Sequence, residues 1–304
     1  MYLSHSKMEV LKSIPFNYCC GMSFVSAVLK LTSTIQNDLS KIYLSCSDDV
    51  AERLKQIIDS FYNQKITIAK DEKNYVITGD LASLLFDSAV IEKVENEIAI
   101  KYGVDEMLLD SECCKKTFLK AVYVCVGKFY HNVDESQNST GYNLEFNFKD
   151  YAIADDVKAL LGYFELQFKM NSRKNITTLY TKNSETINNF FVLIDAVSCS
   201  LEFQNNLTFR EIKNSVNRQN NCYEYNLDKT ISASVKQIHA IQYIEKNYGM
   251  DILDDDLVEV ALLRLANCDL TLNELVKLYG KKITRSGLKY KLDKIVKIYE
   301  KLKK

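Results

Sequence analysis

Eleven Lys/Arg and only two acids fall in the last 28 residues of the chain, 277–304. The other 276 residues hold 28 bases and 38 acids, so the formal total of −1 hides a +9 arm on a −10 body. Basic side chains at this density attract and bind a polyanion such as the nucleic-acid phosphate backbone. The spacing narrows the choice. Thr271-Leu-Asn-Glu274-Leu-Val-Lys-Leu-Tyr-Gly280 reads as a short helix with a Thr/Glu capping box and a glycine stop. After a tight break, Thr284-Arg-Ser-Gly-Leu288-Lys-Tyr-Lys-Leu292-Asp-Lys-Ile295 opens a second, basic helix. Leu288, Leu292, Ile295, Tyr299 and Leu302 form its apolar face. Such a helix-turn-helix can lay its second helix in the major groove of DNA. The first turns of that helix carry Arg285, Ser286, Lys289 and Tyr290, the expected base readers. Arginine can hold guanine with two hydrogen bonds. Lys281, Lys282, Lys294 and Lys297 suit phosphate contacts, which position without specifying. The bland alternative, a solvated Lys-rich helix end, accounts for the charge but not for the helix-turn-helix spacing.

Other chemistries find less support. The nine cysteines include two adjacent pairs, Cys19-Cys20 and Cys113-Cys114, and no C-x-x-C. Neighbouring cysteines rarely bridge one another and the count is odd, so reduced thiols are expected rather than a disulfide framework. His5, His131 and His239 are widely separated, which argues against a His dyad or a His-rich metal site. No cofactor is expected.

A chain of 304 residues, 47% hydrophobic and 26% charged, has an ordinary globular composition and is long for one core. No apolar run approaches the roughly 18 residues that would cross a bilayer. The start of the chain lacks a signal peptide's apolar stretch, so a cytoplasmic location and no membrane partner are expected. A weak internal repeat organises the first two-thirds. Cys19-Cys20 precedes an apolar helical stretch (24–35), a strand (42–47), a helix (49–61) and two strands (65–69 and 74–78). Cys113-Cys114 precedes the same series at 118–129, 142–148, 155–164, 166–170 and 175–180. Each copy closes on another helix, near 80–88 and 184–196. The alternation Tyr142-Asn-Leu-Glu-Phe-Asn-Phe148 is a half-buried strand signal. Two αββαβ-type halves about a pseudo-twofold axis could bury together what neither half buries alone.

Between residues 205 and 230 seven asparagines crowd around Arg210, Lys213 and Arg218. This stretch reads as a polar connector entering a long helix at about 226–248, with Leu227, Ile231, Val235, Ile238, Ile241 and Ile244 on its apolar face. Helix capping explains some of these asparagines. Arg218 and Lys229 among so many amides are equally suited to phosphate.

The order of these motifs resembles the WhiA family of bacterial DNA-binding regulators. The most specific stretch is Asn217-Arg218-Gln-Asn-Asn221-Cys222-Tyr-Glu-Tyr-Asn226-Leu-Asp-Lys229-Thr230. It is followed by Gln237-Ile238-x-Ala240-Ile241, Ala261-Leu-Leu-Arg264-Leu265, Thr271-Leu-x-Glu-Leu275 and Ile283-Thr-Arg-Ser286-Gly287-Leu288. The resemblance covers nearly the whole chain. It implies an α+β fold: a degenerate, pseudo-twofold LAGLIDADG homing-endonuclease-like domain over 1–204, with repeats at about 15–100 and 109–200. The connector (205–230) and an all-α helix-turn-helix domain (231–304) follow.

The chain departs from an active endonuclease at the ends of the two long helices, where Thr32 and Val126 stand in place of metal-binding acids. Cleavage by two metals needs carboxylates, and neither residue supplies one. The expectation is therefore a non-enzymatic transcriptional regulator that binds double-stranded DNA as a monomer at the nucleoid. By resemblance it is linked to sporulation or to cell division and chromosome segregation. The alternatives are a scaffold that docks a sigma factor or another transcription protein and, more remotely, a residual nuclease. For the paired cysteines the favoured reading is small buried thiols and no metal. A LAGLIDADG arrangement would also bring the two helix starts together, so that four thiolates could hold zinc. Against that stands the tendency of adjacent side chains to diverge.

Overall fold

A computed structural model describes residues 2–36, 38–72, 74–95, 97–131 and 141–303. These separate into two compact units, Met1–Leu207 and Thr208–Lys304.

The first unit opens with helix α1 (Tyr2–Lys12) and continues through α2 (Tyr18–Thr32), β1 (Ser33–Ile35), β2 (Ile42–Leu44), α3 (Asp48–Tyr62), β3 (Ile66–Asp71), β4 (Asn74–Gly79) and α4 (Leu81–Asp87). A hairpin of β5 (Ile91–Val94) and β6 (Glu97–Ile100) leads to a single 3-10 turn, Glu106–Leu109. The series then recurs as α5 (Glu112–Val126), β7 (Gly127–His131), β8 (Tyr142–Phe148), α6 (Tyr151–Tyr163), β9 (Lys169–Arg173), β10 (Ile176–Thr181) and α7 (Ser184–Leu193). The two four-stranded sheets have the same antiparallel order, β1-β2-β4-β3 and β7-β8-β10-β9. Each half is therefore αββαββα rather than αββαβ. The apolar stretches read as helix to Ile35 and Phe129 stop earlier. At Ser33 and Gly127 the backbone turns extended and runs straight into a strand. The β-branched pair Thr34-Ile35 then finds its partners in Tyr43 and Ile42.

Helices α2 and α5 are the axis of this unit. Phe24, Val25, Ala27 and Val28 on one, and Phe118, Ala121, Val122 and Tyr123 on the other, are all fully buried in one cluster that joins both halves. Each large apolar side chain so buried contributes about 1.5–3 kcal/mol. The buried face of β8, Tyr142, Leu144, Phe146 and Phe148, follows the alternation read from the sequence. Lys120 is 4% exposed within α5. It is tolerated because its Nζ lies 2.5 Å from Asp195 and 3.2 Å from the Ser13 carbonyl.

Helix α8 (Val197–Tyr248) begins well before the start expected at about 226 and takes in the whole polar connector. Residues 205–230 are helical throughout, and 211–229 are exposed on all sides. Asparagine prefers caps, but nothing between 197 and 248 is Gly or Pro, so no residue stops the helix. These asparagines therefore cap nothing, and Thr230 Oγ1 donates back to the Asn226 carbonyl at 2.9 Å, a mid-helix bond.

In the second unit, α8 is followed by a 3-10 turn (Met250–Ile252), α9 (Asp255–Ala266), α10 (Leu272–Leu278) and α11 (Arg285–Leu302). The core gathers Ala240, Ile241, Ile244, Leu257, Val260, Leu275, Leu288, Leu292 and Ile295. The face of α8 differs from the expected one. Leu227, Ile231 and Val235 are 45%, 51% and 60% exposed, while Ser234 and Gln237 are buried. Those polar groups are paired: Ser234 Oγ donates to the Cys268 carbonyl at 2.7 Å, and Gln237 Oε1 accepts from Arg264 Nε at 3.1 Å.

Candidate nucleic-acid interface

The turn of the helix-turn-helix is built locally. Thr271 accepts from the Glu274 amide while the Glu274 carboxylate accepts from the Thr271 amide, completing the capping box. Gly280, at φ 71°, occupies the left-handed region just past α10. Thr284 Oγ1 then accepts from the Gly287 amide at 3.1 Å and starts α11. Leu288, Leu292 and Ile295 are buried beneath it, so the phase of α11 turns Arg285, Ser286, Lys289 and Tyr290 to solvent. All four sit in the first two turns of α11.

The structure does not bring these residues into one concavity. Arg285 and Lys289, one turn apart, line a groove of about 470 Å³ with Lys229 and Thr230 of α8 and with Thr271 and Asn273. Thr271, read from the sequence only as a helix cap, and Asn273 thus join the candidate surface; their place at the start of the first helix of the motif is the signal that could have found them. Tyr290 borders a second concavity, together with Lys281, Lys282 and Lys294 and the acids Asp254, Asp255 and Asp256, and a third with Lys294 and Lys297. Ser286 is exposed on α11 but lines none of these.

The expected phosphate-binding lysines are not equivalent. Lys281 is paired with Glu259, and Lys294 Nζ lies 2.8 Å from Asp254 Oδ2. Hydrogen bonds to these carboxylates raise both ammonium pKa values and hold the Glu259 carboxyl below its usual range. Lys282 and Lys297 are exposed. Lys229 Nζ stands 4.4 Å from the centre of the Tyr225 ring, and Arg218 Nε donates to the Asn214 carbonyl of its own helix at 3.2 Å. Arg218 belongs to none of these concavities.

In the first unit, Thr32 and Val126 are the last residues of α2 and α5. Thr32 Oγ1 is turned back onto the Val28 carbonyl at 2.7 Å. Among the described residues, the one group of three or more potential metal ligands lies at the opposite ends of these helices: Cys19, Cys20, Cys113 and Cys114. Their side chains converge instead of diverging. Cys20 and Cys114 are buried as expected, but Cys19 and Cys113 are exposed. No helix among the described residues is long and apolar enough to cross a membrane.

Two family models match the chain, the WhiA LAGLIDADG-like domain over residues 115–213 and the WhiA C-terminal HTH domain over residues 216–299. A protein of Caldicellulosiruptor saccharolyticus named as a probable cell division protein WhiA is 31% identical, with the alignment covering 100% of this chain and 96% of that protein. Its counterpart in Bacillus cereus is 30% identical over 99% of this chain and 97% of its own. The fold is similar to the crystal structure of full-length DUF199/WhiA from Thermotoga maritima, with a TM-score of 0.55 and 23% identity over 97% of this chain and 96% of that one. With a LAGLIDADG-like unit built from two matching halves and a helix-turn-helix after it, the chain belongs to the WhiA family.

Proposed function

We propose that this protein is a non-catalytic regulator of transcription that acts on double-stranded DNA at the nucleoid, in the cytoplasm. One observation carries the reading: the phase of α11 buries Leu288, Leu292 and Ile295 and leaves Arg285, Ser286, Lys289 and Tyr290 exposed over its first two turns. Placed in a major groove, Arg285 and Lys289 reach base edges, and guanine is the natural target of Arg285. Lys282, Lys297 and Lys229 contact phosphates directly; Lys281 and Lys294 do so after exchanging a carboxylate for a phosphate. Arg218 adds a further contact from α8. The first unit serves as a scaffold without nuclease chemistry, because Thr32 and Val126 supply no carboxylate where the two long helices end. The name shared by the relatives points to cell division as the process served, alongside the sporulation and chromosome-segregation roles implied by the resemblance.

The test is anisotropy on labelled genomic fragments with the full chain and with Arg285→Ala/Lys289→Ala. The full chain should bind, with affinity falling steeply as salt rises. Wild-type affinity in the double variant on every fragment would overturn the placement of α11.

A second reading rests on Phe209, Ile212, Val216, Tyr223 and Leu227, all exposed on α8. Such a row suits a protein partner, and a sigma factor or other transcription protein fits the regulatory role. Capture of that partner that survives an excess of competing DNA would favour this reading over direct DNA binding.

A further inference from the structure

We propose that Cys19, Cys20, Cys113 and Cys114 form a four-thiolate site for a single soft divalent cation, zinc foremost, which clasps the two halves of the first unit at the starts of α2 and α5. The four Sγ atoms all lie within 4.8 Å of one another. Zinc held tetrahedrally by thiolates at about 2.3 Å places its sulfurs roughly 3.8 Å apart, so small rotamer adjustments close the cluster on one ion. An iron–sulfur cluster, whose four cysteines are spread over two or four irons, needs a wider frame. The chain spacing conceals the site: two adjacent doublets 94 residues apart carry no C-x-x-C signature.

Three further features prepare it. Each doublet lies in the first turn of a 15-residue helix, with Asn17 accepting from the Cys20 amide and Ser111 from the Cys114 amide. Both helix dipoles thus direct their positive ends at the sulfurs, which eases the build-up of thiolate charge. Ser111 Oγ lies 2.9 Å from Cys114 Sγ and 3.1 Å from Cys113 Sγ, the kind of outer hydrogen bonding that orients metal ligands. The two helices are also fixed to each other beside the site, where Ser23 Oγ donates to the Cys114 carbonyl at 2.8 Å. Cys20 and Cys114 are buried while Cys19 and Cys113 are exposed, which anchors the ion on one side and gives it a route from solvent on the other.

The Ser111 hydroxyl and neighbouring thiols hold Cys113 below the usual thiol range. Burial, with the crowding of the other sulfurs, pushes Cys20 up to about 12. Binding of the ion to thiols releases their protons as the metal–sulfur bonds form. The ion links residues far apart in the chain and binds the folded state alone, so it stabilises the first unit.

The full chain, purified anaerobically, incubated with zinc and desalted, should carry close to one zinc per chain by elemental analysis. Cobalt(II) in its place should give the absorption of tetrahedral cobalt–thiolate coordination. Chelation should lower the melting temperature of the wild type. Cys113→Ser, at an exposed position that leaves packing intact, should keep the fold by circular dichroism, weaken metal binding at least tenfold, and lose the chelator-dependent shift. Cys20→Ser should do the same where it folds. A fully reduced, folded wild-type chain that retains no zinc would overturn the proposal. So would Cys113→Ser binding zinc as the wild type does, or a Cys20–Cys114 disulfide in the anaerobically purified protein.

Discussion

Lys294 Nζ is held 2.8 Å from the carboxylate of Asp254, across the gap between α11 and the start of α9. Lys281 is held in the same way by Glu259. Two of the lysines proposed for phosphate thus already have anionic partners within their own unit, and these side chains are exposed enough for the pairs to exchange with solvent.

Asp254→Asn combined with Glu259→Gln frees both lysines and removes two negative charges from the face proposed to meet DNA. Affinity for random duplex at low salt should rise several-fold, because neither lysine then has to leave a carboxylate to reach its phosphate. Titrations at several salt concentrations would show this. An unchanged affinity would place Lys281 and Lys294 away from the DNA.

Arg285→Ala should weaken binding to the preferred sequence by about 1–3 kcal/mol and relax base preference at one position, as loss of a bidentate contact does. Lys297→Ala should weaken all sequences alike. Competition of specific against random duplex separates the two outcomes. Equal losses for Arg285→Ala on both duplexes would remove it from base reading.

Arg264 is 2% exposed. It donates to Gln237 Oε1 at 3.1 Å and to the Leu270 carbonyl at 2.8 Å, tying α8 and the approach to α10 onto α9. Gln237→Leu leaves the guanidinium short of one buried acceptor and should cost about 1.5–3 kcal/mol. Chemical denaturation followed at the second unit would measure it. A loss under 0.5 kcal/mol would mean that solvent reaches Arg264 and replaces the bond.

Supercoiled plasmid incubated with the protein and Mg²⁺ or Mn²⁺ should stay intact, since Thr32 and Val126 end the helices that carry the acids in an active endonuclease. Nicking that survives repurification and vanishes on mutation of a nearby acid would contradict this.

The two halves of the LAGLIDADG-like unit already bury one another within a single chain, so its core requires no second copy. A monomer with one reading helix should bind asymmetric sites. Light scattering that shows a stable species of twice the 35.0 kDa chain mass would refute the first point. Footprints with dyad symmetry at a spacing of about 10–10.5 base pairs would refute the second.

Features decided by near neighbours in the chain were legible from residues alone. The Thr271/Glu274 box, the turn at Gly280, the buried alternation of Tyr142–Phe148 and the core face of α11 each depend on side chains a few positions apart, and local periodicity records them. Three other features depended on contacts that periodicity does not carry. The phase of α8 is not legible in the sequence, because Leu227, Ile231 and Val235 fit the helical period as well as Ser234 and Gln237 do; only the presence of Arg264 and the Cys268 carbonyl opposite selects the polar pair for burial. The pairing of Lys281 and Lys294 with acids 22 and 40 residues away came from the packing of α11 on α9. The convergence of four thiols from two helices 94 residues apart came from the packing of α2 on α5, because bringing such distant segments together is the work of the shared core and not of any local pattern.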